Sequence, residues 1–282
     1  MNAANTASAH ADRAADRPIS APIYQVDAFA NRRFAGNPAA VVLLDRFPDD
    51  ATMQAIAAEN NLAETAFAVP HASGYRLRWF TPRIEVPLCG HATLASAAVV
   101  MERVEPARER VVFDTASGPL TVERTPDGYR MDFPARPTAP SDARAHARLA
   151  DALGAGALED VHANAHVYLA RLASAQAVRA LNPDMAALAA LDRSGVIVTA
   201  ADGGDYDFIS RYFAPAKGVP EDPVTGSAHC ALAPYWAARL GKTAFRAHQA
   251  SPRGGDVRCR LNGERVELEG SCVFYLEGRV TF

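Results

Sequence analysis

Two distant stretches of this chain follow one pattern, and that repetition limits the fold more than any other feature. Residues 78–98 read RWFTPRIEVPLCGHATLASAA, and residues 211–233 read RYFAPAKGVPEDPVTGSAHCALA. Arg78, Phe80 and Pro82 match Arg211, Phe213 and Pro215. After a three-residue difference in length, Glu85, Pro87, Gly90 and Ala92 match Glu221, Pro223, Gly226 and Ala228. Ala and Gly match cheaply, but Arg, Phe, Pro, Glu, Pro and Gly in the same order do not. In each copy a strand ends in Phe-x-Pro, a loop carries Glu-x-Pro, and a glycine opens an Ala-rich helix that is apolar on every face and therefore buried. Two copies at long spacing do not make a solenoid, which needs several short periods. They predict two similar domains whose helix N-termini face one another across a cleft.

The rest of the chain fits that division. Its 282 residues suffice for two domains. Strand patterns open at PIYQVDAF and recur through GYRMDFP, with a helix at DDATMQAIAAEN. Residues 134–141, PARPTAPS, read as a linker, beyond which helices and strands begin again. The expected boundaries are a disordered leader over 1–21, a first domain over 22–136 and a second over 137–282, with the last strand able to return to the first domain. Helices and strands alternate without a βαβ rhythm, so the expected class is α+β with mostly antiparallel sheets.

Charge and cysteine usage narrow the partners. The 29 basic and 32 acidic residues are spread along the chain and form no basic pole, which argues against nucleic acid or an anionic membrane surface. No apolar run approaches the length of a membrane-spanning helix. The four cysteines form no C-x-x-C pair, which argues against a zinc site or a disulfide framework and fits a reducing cytosol. Cys230, Cys259 and Cys272 read as small core residues. His162, His166, His229 and His248 show no metal-ligand spacing. The default partner is a small molecule.

Helix starts supply the chemistry of a cleft. Their first-turn N–H groups and positive dipole end bind anions and stabilise negative charge that develops on a substrate. Gly90 and Gly226 let a ligand approach the backbone closely. Asp222 and Ser227 also read, more simply, as helix caps. Glu64, in NNLAETAF, reads as a solvated strand-edge carboxylate or as a partly desolvated acid/base among Leu62, Ala63, Ala66 and Phe67.

The segments YQVDAFANRRFAGNPAAVVLL, NNLAETAF, PLCGHATLASA, SRYFAPAKGVPEDPVTGSAHCAL and RGGDVRC together resemble the PhzF phenazine-biosynthesis family, part of the diaminopimelate epimerase-like superfamily. The resemblance covers nearly the whole chain from residue 22. It implies two pseudo-symmetric epimerase-like domains, each a β-barrel-like sheet around a central helix, with no metal or organic cofactor, and a cytoplasmic homodimer. The family's named member isomerises trans-2,3-dihydro-3-hydroxyanthranilate, so a small carboxylic acid is the implied substrate. By the same resemblance Glu64 is the catalytic acid/base, His91 and Asp222 contact the substrate's polar groups, and Gly90, Gly226 and Ser227 donate from the helix starts.

Cys89 separates this reading from its relatives. In the superfamily's amino-acid racemases, cysteines precede the glycine at both helix starts and act as a thiol/thiolate pair. Here Cys89 is matched by Thr225, whose hydroxyl is too weakly acidic for that role. A symmetric two-cysteine racemase is therefore disfavoured. An epimerase or dehydratase using Cys89 alone, or a non-catalytic metabolite-binding protein, remains an alternative.

Overall fold

The computed structural model describes residues 18–282. Most of the expected leader, residues 1–17, lies outside the described residues. Strand β1 (Ser20–Ala28) starts two residues before Pro22, where the sequence pattern placed it. The first half continues with β2 (Asn37–Leu43), α1 (Asp50–Asn60), β3 (Glu64–His71), β4 (Gly74–Phe80), β5 (Glu85–Val86), α2 (Gly90–Val99), β6 (Arg110–Thr115), β7 (Gly118–Thr125) and β8 (Gly128–Pro134). The second half holds β9 (Ala139–Pro140), α3 (Ala143–Leu153), β10 (Asp160–Ala163), β11 (Val167–Arg171), α4 (Ala175–Ala180), α5 (Met185–Ala189) and β12 (Gly195–Ala201). It continues with β13 (Phe208–Ala214), β14 (Val219–Asp222), α6 (Gly226–Leu240), β15 (Ala244–Gln249), β16 (Gly255–Asn262), β17 (Arg265–Gly270) and β18 (Cys272–Thr281).

The repeat seen in the sequence is a repeat of topology. In the first half β2 and β3 pair in parallel, β3 and β4 antiparallel, β4 and β6 in parallel, and β6, β7 and β8 antiparallel in turn. The strands β11, β12, β13, β15, β16 and β17 follow the same succession. The two last strands, β8 and β17, pair with each other and join the halves. The C-terminal β18 pairs with β1, so the end of the chain lies against its beginning.

Each half wraps one Ala-rich helix. Every α2 residue from His91 to Val99 is buried, and α6 buries nearly all of its first eleven residues. Small side chains on all faces let strands pack closely around these helices. The resulting core is continuous through both halves, taking in Leu94 and Trp79 from one and Leu232 and Phe208 from the other. The architecture is thus the α+β pair of epimerase-like domains.

The matched loops are held identically. Arg78 donates Nε and Nη2 to the two carboxylate oxygens of Glu85, at 2.7 Å each. Arg211 makes the same fork to Glu221, at 2.7 and 2.8 Å. This geometry fixes the loop that leads into each helix start.

The Pro-rich 134–141 segment joins the two halves and is tied down along its length. Ala135 N–H donates to the Glu264 carbonyl and Arg136 N–H to the Cys230 carbonyl, at 2.8 and 2.9 Å. Residues 139–140 then pair with β10. Proline removes a donor but leaves its carbonyl free to accept, so the segment runs along the seam as an edge.

Candidate active site

Both helices begin without a side-chain cap. The residues before them, Cys89 and Thr225, are extended, and neither side chain bonds the first turn. Asp222 does not cap either. Its Oδ2 accepts from the Thr225 hydroxyl at 2.6 Å and its Oδ1 from Asn37 Nδ2 at 2.7 Å. Ser227 is exposed at the start of α6, and its hydroxyl has no hydrogen bond among the described residues. A Cβ added to Gly90 would meet only the Phe133 ring, at 3.9 Å, and one added to Gly226 only Leu268, at 3.4 Å. Protein packing therefore does not require glycine at either place, and the backbone of both helix starts is open to close approach.

Glu64, Cys89 and His91 converge at the start of α2. Glu64 opens β3, facing the helix, and its Oε2 lies 3.2 Å from His91 Nε2. The approach is poorly aligned, and neither atom has a hydrogen-bond partner among the described residues. His91 Nδ1 lies 3.2 Å from Asn37 Nδ2 and 3.5 Å from Cys89 Sγ. The two hydrogens of Asn37 Nδ2 point to Asp222 at 2.7 Å and the Val224 carbonyl at 3.0 Å, so its contact with His91 Nδ1 is a third approach that does not fix the ring tautomer, and Nε2 is the ring nitrogen that faces Glu64. Asn37 Oδ1 is a third buried polar atom without a partner. Buried polar groups in folded proteins are rarely left so, and three at one place mark a site built to meet polar groups of a ligand.

The ionisation states follow from burial. Burial pushes Glu64 up to about 8, the nearby Asp222 charge adds to this, and the Cys89 thiol works against it as a hydrogen-bond donor. Burial also lifts Asp222 to about 6, opposed by its bonds from Thr225 and Asn37. His91 is pushed by burial down to about 3 and stays neutral. Cys89 is held far above the ordinary thiol range, by burial first and then by Glu64's charge, so it is a thiol and not a thiolate. One ligand atom from each of Glu64, Cys89 and His91 lies within 4.8 Å of the others, so among the described residues these three could hold a metal ion.

Two residues central to this network were not singled out in the sequence. Asn37 is fully buried, donates to Asp222 and to the Val224 carbonyl at 3.0 Å, and touches His91 Nδ1 at 3.2 Å, linking the two helix starts. Its only sequence signal was the Gly-Asn-Pro triplet, which reads as a turn. Gln249, also fully buried, accepts from Thr225 N–H at 2.8 Å and donates to the Asp222 carbonyl at 2.7 Å. A polar residue at the inward end of β15 was the available signal.

The RGGD turn has a positioning role. Arg253 donates to Asp27 at 2.8 Å and to the carbonyls of Ala35 and Gly36, and Gly36 N–H donates to Gly254. This clasp holds the loop that delivers Asn37. Gly36 has a φ of 67°, and an added Cβ would lie 2.2 Å from the Ala28 carbonyl oxygen, so glycine is required there. His229 packs in the core and bonds the Thr225 carbonyl at 2.9 Å, as its repeat mate Thr93 bonds that of Cys89 at 2.6 Å. A larger surface groove of about 440 Å³, lined by Arg130, Arg246 and Arg258, contains none of these residues.

A family model described as Phenazine biosynthesis-like protein (PhzC-PhzF) matches residues 26–278. The chain is 51% identical over 257 residues to an uncharacterized isomerase of Pseudomonas aeruginosa, covering 91% of this chain and 97% of that protein. Its fold is similar to the crystal structure of a PhzF-family phenazine biosynthesis protein of Enterococcus faecalis, with a TM-score of 0.87, 42% identity, and coverage of 93% of this chain and 99% of that one. A hydroxyproline epimerase of Agrobacterium vitis superposes with a TM-score of 0.58 at 11% identity, covering 93% of this chain and 92% of that one, a likeness of fold alone.

Proposed function

This chain belongs to the phenazine biosynthesis-like PhzC-PhzF family, and on that premise we propose that it is an isomerase that moves a proton and a double bond within a small carboxylic acid. The substrate is of the trans-2,3-dihydro-3-hydroxyanthranilate type and lies between the starts of α2 and α6. One observation carries the reading: at the start of α2 the buried Glu64 Oε2 lies 3.2 Å from His91 Nε2, and neither atom has a hydrogen-bond partner among the described residues. Burial and the Asp222 charge raise Glu64 to about 8, which suits a carboxyl group that accepts and returns protons near neutral pH.

In this mechanism the ionised Glu64 takes a proton from a saturated carbon. The C–H electron pair becomes the new π bond, and the displaced π pair forms a bond at the far carbon with the proton that Glu64 returns. Electrons and protons balance, and no oxidant is needed. Neutral His91 donates from Nε2, and Asp222 accepts from substrate hydroxyl or amino groups. The N–H groups of Gly90, Gly226 and Ser227 stabilise the transient anion. Cys89 assists as a donor to Glu64, and its high proton affinity counts against the one-cysteine epimerase or dehydratase reading. No metal or organic cofactor is invoked.

The test is solvent-deuterium incorporation across candidate acids. The wild type is expected to place solvent deuterium in the isomerised product, and C89A to retain turnover within about tenfold, as befits loss of a supporting hydrogen bond. Loss of all exchange in C89A, with Glu64 dispensable, would transfer the chemistry to the thiol. A ligand bound tightly without any exchange would favour a binding protein.

We further place the protein in the cytoplasm as a homodimer. Phe34 is 64% exposed and lies edge-on over Tyr275 at 5.7 Å, near exposed Leu276 on β18, a strand whose register among the described residues is with β1. An apolar strand edge of this kind favours a partner. Light scattering is expected at twice the 30.1 kDa chain mass, and a monomer at micromolar concentration would contradict it. Among the described residues, no helix is long and apolar enough to cross a membrane.

A further inference from the structure

We propose that the Tyr212 hydroxyl, with Lys217 and Arg136 beside it, binds the substrate's anionic group on the wall opposite Glu64. The inference rests on the isomerase reading only in placing the substrate between the two helix starts.

Strand register locates Tyr212. Thr65 pairs with Phe80 and Val196 with Phe213, and the two phenylalanines are repeat mates. Thr65 therefore corresponds to Val196, and Glu64 to Gly195. A Cβ added to Gly195 would lie 2.3 Å from the Tyr212 hydroxyl oxygen. The hydroxyl thus takes the place, in the second half, where the side chain equivalent to Glu64 would begin. Along β13, Phe208 and Tyr212 share a face. Phe208 stacks on Trp236 of α6 with centroids 5.6 Å apart, and Tyr212, four residues on, reaches toward the helix start. Its cross-strand partner on β14 is Asp222.

The chemistry at this point suits an anion. Tyr212 is 6% exposed, its hydroxyl makes no hydrogen bond among the described residues, and it is not one of the fully buried unpartnered atoms, so the hydroxyl is the part of the ring left open to a ligand. Asp222, its cross-strand neighbour, accepts from Thr225 and Asn37 and makes no hydrogen bond with Tyr212. Burial first, and then the Asp222 charge, push Tyr212 up to about 12, so it remains a donor. Two cations lie near. Lys217 stands in the turn that joins β13 to β14 and is close enough to act electrostatically on Asp222. Arg136, whose N–H is fixed to the Cys230 carbonyl in the second turn of α6, acts on both Tyr212 and Lys217. Neither cation has an acidic partner among the described residues. A neutral donor within the electrostatic reach of Arg136, with Lys217 acting on the neighbouring Asp222, favours a carboxylate over its uncharged amide.

Calorimetric binding of 2-aminobenzoate and 2-aminobenzamide tests this, since the pair differs only in the charged group. The wild type is expected to prefer the acid by about tenfold or more, the usual worth of a hydrogen bond to a charged partner. Y212F, which keeps the ring and its packing, is expected to lose about tenfold in affinity for the acid and none for the amide. The surface double variant K217Q/R136Q is expected to weaken acid binding and flatten its salt dependence. A wild type that does not distinguish the two ligands, or Y212F binding the acid as the wild type does, overturns the proposal. Binding is read without turnover, so this result is separate from whether deuterium enters any substrate.

Discussion

Glu64→Gln is expected to lower turnover by about a thousandfold, the typical contribution of a positioned acid/base, while making the protein more stable. The two effects have one cause. A carboxyl group with a pKa near 4.5 in the unfolded chain is raised to about 8 in the fold. Below the unfolded value both states hold the proton, and Glu64 costs nothing. Above it the unfolded chain releases the proton while the folded one retains it, so stability falls with rising pH until the folded value is passed. The penalty grows by roughly 1.4 kcal/mol per pH unit over that window. Glutamine is neutral throughout and escapes it. Thermal unfolding at pH 5 and pH 8 should therefore show a small gain for E64Q at pH 5 and a gain of one to a few kcal/mol, roughly, at pH 8. Equal stability at both values would mean that Glu64 is solvated and not the strained acid/base described.

The second large effect is structural and asymmetric. Arg211→Ala is expected to destabilise the fold by about 3–5 kcal/mol, and the repeat-equivalent Arg78→Ala by about 1 kcal/mol or less. Both arginines make the same two-pronged bond to a glutamate, but their surroundings differ. Arg211 and Glu221 side chains are 10% and 16% exposed, and Arg211 also donates to the Val178 and Leu181 carbonyls. Removing it strands a charge and two carbonyls in the interior. Arg78 and Glu85 are 25% and 39% exposed, and water takes over when the pair is broken. Urea denaturation of the two variants measures the contrast. Equal losses would show that the burial difference between the halves carries no energetic weight.

The repeat was legible because its residues are the ones whose geometry cannot be exchanged: an Arg–Glu fork, prolines that end strands, and a glycine at each helix start. Those positions fix the loops, and the loops fix where Glu64, His91 and Asp222 meet. Asn37, Gln249 and Tyr212 were not legible. Asn37 acts across the seam on His91 and Asp222, so its role arises from pairing between distant strands and leaves no local pattern. Tyr212 gains its meaning only through Gly195, a correspondence set by strand register. The capping reading of Asp222 and Ser227 gave way for a similar reason. Asp222 sits on β14, where its carboxylate reaches the Thr225 hydroxyl and not the helix N–H groups. The linker role of 134–141 was legible from its prolines, whereas its bonds to the Glu264 and Cys230 carbonyls were not, because composition does not report which distant carbonyls a segment meets.

The pH dependence of kcat/KM for the wild type, D222N and E64Q tests the proton-transfer role of Glu64 most directly. Wild-type activity should rise as Glu64 ionises and level off above about pH 8. In D222N the like charge that holds Glu64 up is gone, so the same limb should move to lower pH even though the maximal rate falls. In E64Q the limb should vanish with the activity. A limb that stays in place in D222N, or survives in E64Q, would contradict the account.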